Sequence, residues 1–163
     1  MEKKSALEES IAKYHAMVKR LFDNNSEDLF PNSSKEHSAA IIEEIMLHAK
    51  HDIKIFCSRL SADVWDKEPI RNALIKAVCR GVEISVITQQ QADRTSELFS
   101  LMSSLDITVR EESGSDVEFN FIVADKKMFR FERDSTERSA IASANCSELA
   151  EPLDDFFTSL YVA

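Results

Sequence analysis

From Glu36 onward the chain alternates helical and strand periodicity, and this alternation constrains its fold more than any other feature. EHSAAIIEEIMLHAK turns Ile41, Ile42, Ile45 and Met46 to one side at helical spacing, and DIKIFCS reads as a short buried strand. KEPIRNALIKAVCRG is a second helix. Its Pro69 suits a first turn, where no amide hydrogen is needed, and Gly81 suits the left-handed residue that stops it. VEISVIT reads as strand, ADRTSELFSLMSSL as helix and DITVRE as strand. Strands then cluster in VEFNFIVA, a hairpin into KMFRFER, and SAIASAN, before a last helix in ELAEPLDDFFTSLYV. The pattern predicts an α/β protein, a mixed β-sheet flanked by helices.

Ahead of this body, Leu7, Ile11, Tyr14, Val18 and Leu21 follow a 4-3-4-3 spacing, the seam of an amphipathic helix. About two heptads are too few for a helix stable on its own. It is expected to dock on the body, on a symmetry mate or on a partner. Residues 23–36, DNNSEDLFPNSSKE, are rich in turn formers and read as a linker. The expected division is residues 1–35 as helical arm and linker, and residues 36–163 as the main domain.

Charge narrows the partners. Twenty basic against 29 acidic residues leave a net charge of -9, which argues against sequence-independent binding of nucleic acid or anionic membrane. The N-terminus has no apolar core of a secretory signal, and no stretch approaches the roughly 18 apolar residues of a membrane span. A cytoplasmic protein is expected. Cys57, Cys79 and Cys146 lack paired spacing and read as reduced core thiols. Glu44, His48 and His51 share a helical face, which is more simply solvated than metal-binding. No metal and no cofactor are expected.

The segment VEFNFIVADKKMF, residues 117–129, carries the chemistry. Val117, Phe119, Phe121 and Val123 alternate onto one face, and Glu118, Asn120, Ile122 and Ala124 onto the other. A strand buried on both faces is normally apolar throughout, so the carboxylate and amide either emerge at an edge or line a site. Asp125 follows the strand and precedes Lys126 and Lys127, and Ala142-Ser143-Ala144-Asn145 ends the next-but-one strand.

Taken in order, these pieces resemble the phospholipase D superfamily, whose motif is His-x-Lys, four residues, Asp, and later Gly-Ser-x-Asn. The resemblance covers about residues 36–163 and includes the helix with RGV before a strand and the closing DDFFTSLY. It implies that Asp125 takes the place of the motif's Asp, with Ser143 and Asn145 as the later Ser and Asn and Ala142 replacing Gly. Glu118 then stands where the family has its nucleophilic His, and Asn120 where it has Lys. The family's chemistry needs a nitrogen nucleophile and positive charge at the phosphate. Glu118 reverses that charge, and a unit pair at about 4 Å is worth roughly 4 kcal/mol at an effective dielectric near 20. The resemblance therefore implies a catalytically degenerate phospholipase D-like domain, a non-enzymatic protein-interaction or regulatory module. The alternative is a phosphodiesterase or nuclease of the same fold with rearranged catalytic residues.

Single-motif relatives pair across a two-fold axis, so the resemblance implies a homodimer, reinforced by the N-terminal helix or with that helix given to a protein partner. Arg59, after the IKIFCS strand, is the nearest candidate to neutralise Glu118. Lys126, Lys127, Arg130 and Arg133 concentrate positive charge and form a candidate site for an anionic ligand, nucleic acid or acidic partner. The simpler expectation there is a hairpin with exposed charges alternating with buried Phe129 and Phe131.

Overall fold

The computed structural model describes residues 2–32, 34–112, 117–134 and 139–161. Helix α1 (Glu2–Asp23) is followed by strand β1 (Phe30–Asn32), α2 (Lys35–His48) and β2 (Asp52–Cys57). The short α3 (Ala62–Trp65), α4 (Glu68–Cys79), β3 (Glu83–Thr88), α5 (Glu97–Ser104) and β4 (Val109–Glu111) come next. The chain then forms β5 (Asn120–Ala124), β6 (Met128–Asp134), β7 (Ser139–Ser143) and α6 (Ser147–Tyr161). The strands make one mixed sheet in the order β1-β7-β6-β5-β2-β3-β4. β2, β3 and β4 run parallel, joined by helical crossovers, and β5 enters antiparallel to β2 and begins the hairpins.

Two cores lie on the two faces of this sheet. The larger gathers Ile41, Ile42, Ile45 and Met46 of α2 with Ile70 and Leu74 of α4, and with Ile53, Ile55, Ile122 and Ala124 of the strands. The other face is aromatic: Phe56, Phe121 and Phe129 lie under α6, which adds Ala150 and Phe157. Burial on both faces explains why β5 reads as a nearly unbroken apolar run after Asn120.

Local signals fix the helix ends. The Ser34 hydroxyl accepts the amide of His37 at 3.1 Å and caps α2. Pro69 lies in the first turn of α4, and Gly81 takes φ +85° just beyond its end, as the sequence predicts.

Several expectations are corrected. The stretch read as a linker contains β1, which pairs antiparallel with β7, so the apolar Phe30 signals a strand. Pro31 is tolerated there because β1 is an edge. ADRTS precedes α5 and is not helical, since Ser96 is the cap of that helix. β5 begins at Asn120, leaving Val117 to Phe119 outside the strand. Cys79 is exposed, while Cys57 is buried. Val162, placed in the last helix by periodicity, lies outside the described residues.

α1 docks along α2, and its seam is used unevenly. Val18 and Phe22 are buried in the larger core and Tyr14 and Leu21 pack against it, whereas Leu7 is 62% exposed. Ile11 is half-buried and shares a shallow groove with Ala39, Pro69 and Ile70.

Candidate functional site

Sheet register decides which of the expected residues meet. Asn120 opens β5 and lies directly across from Glu132 of β6. The far end of β5 at Ala124 is roughly 13 Å further on at about 3.3 Å per residue, and Asp125 follows it. Its backbone is left-handed, φ 54°, and its carboxylate accepts the amides of Lys50 at 2.8 Å, His51 at 2.8 Å and Asp52 at 3.1 Å. Asp125 thus ties the β5–β6 turn to the entry of β2.

Ser143 lies across from Phe129, toward that same far end. Its hydroxyl accepts the Asn145 amide at 3.2 Å, and the Asn145 side chain donates to the Asn25 carbonyl at 3.5 Å. The structure therefore divides the five expected pocket residues. Asn120 stands at one end of the strands, Asp125, Ser143 and Asn145 stand toward the other, and Glu118 is exposed in the coil before β5. They do not converge, because β7 runs antiparallel to β6 and carries its terminal residues away from Asn120.

The expected cationic residues separate as well. Arg59 is exposed, and its charge acts on Asp93. The Asp93 carboxyl is held below the usual range first by the Thr95 hydroxyl, then by the amides of Ala62 and Thr95, with Arg59 adding a smaller effect. Lys126 and Arg133 are exposed, while Lys127 donates to the Asn25 side chain at 3.2 Å. Arg130 is only 5% exposed. Alternation along β6 sends Phe129 and Phe131 toward α6 and Arg130 under α2. The exposed-charge hairpin expected from the sequence fails at Arg130, because both faces of β6 are covered.

What the fold does assemble is a cleft of about 340 Å³ at the Asn120 end of the sheet. Ser34, Ser38, Ser58 and Ser61 line it together with Trp65, Asn120, Arg130 and Glu132. Arg130 is held from three sides. Its Nε donates to Asn32 Oδ1 at 3.0 Å, and Nη2 donates to the Ser38 hydroxyl at 2.7 Å and to Glu132 Oε2 at 2.8 Å. Asn32 comes from β1, and its amide also donates to Ser38 at 3.0 Å. Burial works against the charged guanidinium and lowers its pKa from the usual arginine value, while the hydrogen bond and charge of Glu132 oppose that shift. Among the buried polar atoms, Asn120 Oδ1 has no hydrogen-bond partner.

Cys57 reaches the cleft, but burial pushes its thiol up to about 12, so it is no thiolate nucleophile near neutral pH. Among the described residues, the lining of the cleft holds serine hydroxyls and no histidine. Arg130 is already matched by a carboxylate. Asn32, Ser38, Arg130 and Glu132 were missed by sequence reasoning, except for Arg130 as a surface charge. The available signal was a polar residue every second position along FRFE, opposite two phenylalanines.

No protein-family model matches the chain, and no curated protein matches its sequence. Solved structures do match. Nuc, a phospholipase D family member from Salmonella typhimurium, superposes with TM-score 0.60 at 16% identity, over 81% of this chain and 92% of that one. NucT from Helicobacter pylori gives TM-score 0.55 at 9% identity, over 81% of this chain and 95% of that one. TrmBL2, an archaeal chromatin protein described with a novel mode of DNA binding, gives TM-score 0.62 at 13% identity. That match covers 98% of this chain and 64% of the TrmBL2 chain. The chain has the phospholipase D-like α/β fold, and no helix among the described residues is long and apolar enough to cross a membrane.

Proposed function

We propose that this chain is a non-catalytic regulatory module of the phospholipase D-like fold, working in the cytoplasm. Its cleft takes a small ligand, and α1 carries contact with a second copy of the chain or a protein partner. One observation carries the reading: the buried cation of the cleft, Arg130, is already paired with Glu132 at 2.8 Å. Phosphoryl transfer calls for uncompensated positive charge and a nucleophile at the reacting atom. Here the cleft is charge-matched and hydroxyl-lined, and Asn120 offers a buried acceptor to any donor-bearing ligand.

The decisive assay is hydrolysis of bis(p-nitrophenyl) phosphate and of single- and double-stranded DNA by the full chain. No turnover above that of an Asn120→Ala/Glu132→Gln control is expected. Robust turnover in the parent that this control abolishes would overturn the reading in favour of the rearranged phosphodiesterase.

Exposed apolar residues support the assembly role. Leu7 is 62% and Met17 37% exposed on α1, while the later Val18 and Phe22 anchor the helix to the body. Removing residues 1–9 is expected to leave the body folded and to convert a dimeric mass in light scattering to a monomeric one. A monomeric parent would refute self-association, and the helix would then be left to a different protein.

A second reading has its own support. The TrmBL2 match extends over nearly the whole chain, α1 included, and that protein binds DNA. The charge of -9 opposes it. Anisotropy with labelled duplex DNA at low salt tests it, since a real interaction is strongest there and falls steeply as salt rises.

A further inference from the structure

Away from the cleft, a second group of side chains converges where the last turn of α1 meets the last turn of α2. Asp23, Glu44 and His48 each offer one ligand atom, and these atoms lie within 4.8 Å of one another. His48 Nδ1 is 2.9 Å from the Glu44 carbonyl oxygen, which can only accept, so Nδ1 carries a proton. The other nitrogen, Nε2, stands 3.0 Å from Asp23 Oδ1. A separation of 3.0 Å is that of a hydrogen bond, and it is also close to the spacing of two neighbouring ligand atoms on one ion. A histidine whose Nδ1–H is fixed by a carbonyl and whose Nε2 faces outward has the posture of a metal ligand.

Glu44 supplies an independent observation. It is 8% exposed, and its carboxylate faces the His48 ring. Its Oε2 lies 3.3 Å from His48 Nδ1, whose hydrogen is directed at the carbonyl. Burial raises this carboxyl above the usual range, with the His48 charge working the other way. A buried carboxylate is costly unless a cation reaches it. Lys19 sits 2.6 Å from Asp23 Oδ2 and leaves Oδ1 directed at the imidazole, and the neighbouring Glu43 adds further negative charge beside Glu44.

We infer that Asp23, Glu44 and His48 form a divalent transition-metal site of the zinc class, with water completing the shell, and that metal bound there clamps α1 onto α2. One imidazole nitrogen with two carboxylate oxygens suits zinc, cobalt or manganese better than calcium or magnesium, which take oxygen ligands. His51, which shares a helical face with Glu44 and His48 in the sequence, lies beyond the end of α2 and is not part of the group.

The test uses the full chain without an affinity tag, carrying Cys79→Ser to remove an exposed competing thiol. Zinc is titrated calorimetrically near neutral pH, and cobalt is followed by its visible absorption. One ion per chain is expected, with Asp23→Asn and His48→Gln each weakening binding by about tenfold or more. His51→Gln and His15→Gln should bind as the parent does. Zinc should raise the melting temperature of the parent but not of Asp23→Asn, an exposed substitution that leaves the core intact. No saturable binding, or equal binding in Asp23→Asn and His48→Gln, would overturn the site.

Discussion

Asp125 Oδ1 accepts the backbone amide of His51 at 2.8 Å, across 74 residues of chain. The relationship is reciprocal, because the Asp125 amide donates to Asp52 Oδ1 at 3.0 Å and to the Asp52 carbonyl at 3.2 Å. A carboxylate that gathers three amides and stands in a left-handed turn is a structural clamp between β2 and the β5–β6 hairpin. Its removal leaves amide donors facing a gap at the start of a central strand.

Asp125→Ala is accordingly expected to destabilise the chain by about 3 kcal/mol, since hydrogen bonds to a charged acceptor are worth roughly 1.5–3 kcal/mol each and water recovers part of the loss. Urea unfolding measures it as a lower midpoint at unchanged slope. A variant as stable as the parent would show that the carboxylate holds nothing together and return Asp125 to the list of site residues.

Arg130 and Lys126 carry the same formal charge four residues apart and are expected to respond oppositely. Arg130→Met leaves Glu132 in the cleft without its cation, and breaking a buried pair costs about 3–5 kcal/mol. For a domain of this size the melting temperature should fall by roughly 10 °C. Lys126→Met, on an exposed turn residue, should stay within about 0.5 kcal/mol of the parent. Equal effects in thermal scans would mean that the two faces of β6 are not divided as described.

Most of the fold was legible because helix and strand periods differ and the segments follow one another cleanly. The site was less legible, for two physical reasons. Spacing along a strand does not say which end of the sheet a motif reaches, and an extra antiparallel turn carries Ser143 and Asn145 to the end opposite Asn120. A charged residue in a strand reads as exposed unless both faces are known to be covered, which concealed Arg130. β1 was hidden for a related reason: three residues around Pro31 in a polar stretch look like a loop until β7 supplies the pairing. Asp23 and His48 meet only because α1 docks on α2, a contact that no local pattern encodes.

Tyr14 gives the last prediction. Its ring stacks on His37, with centroids 3.6 Å apart and planes 17° from parallel, while its hydroxyl is buried without a hydrogen-bond partner. Tyr14→Phe keeps the stacked ring and removes the unsatisfied group, so a gain of about 1 kcal/mol is expected. Burial also pushes the Tyr14 hydroxyl up to about 12, with the nearby Arg130 charge opposing. An unfolded tyrosine ionises near pH 10, so between there and about 12 the unfolded chain has released a proton that the folded chain still holds. Stability from this group is complete below the lower value and is lost as pH rises through the higher one. Urea midpoints of parent and Tyr14→Phe should therefore diverge across this interval, the parent falling more steeply. Parallel profiles, or a phenylalanine variant less stable than the parent near neutral pH, would show that the hydroxyl is satisfied in the folded protein.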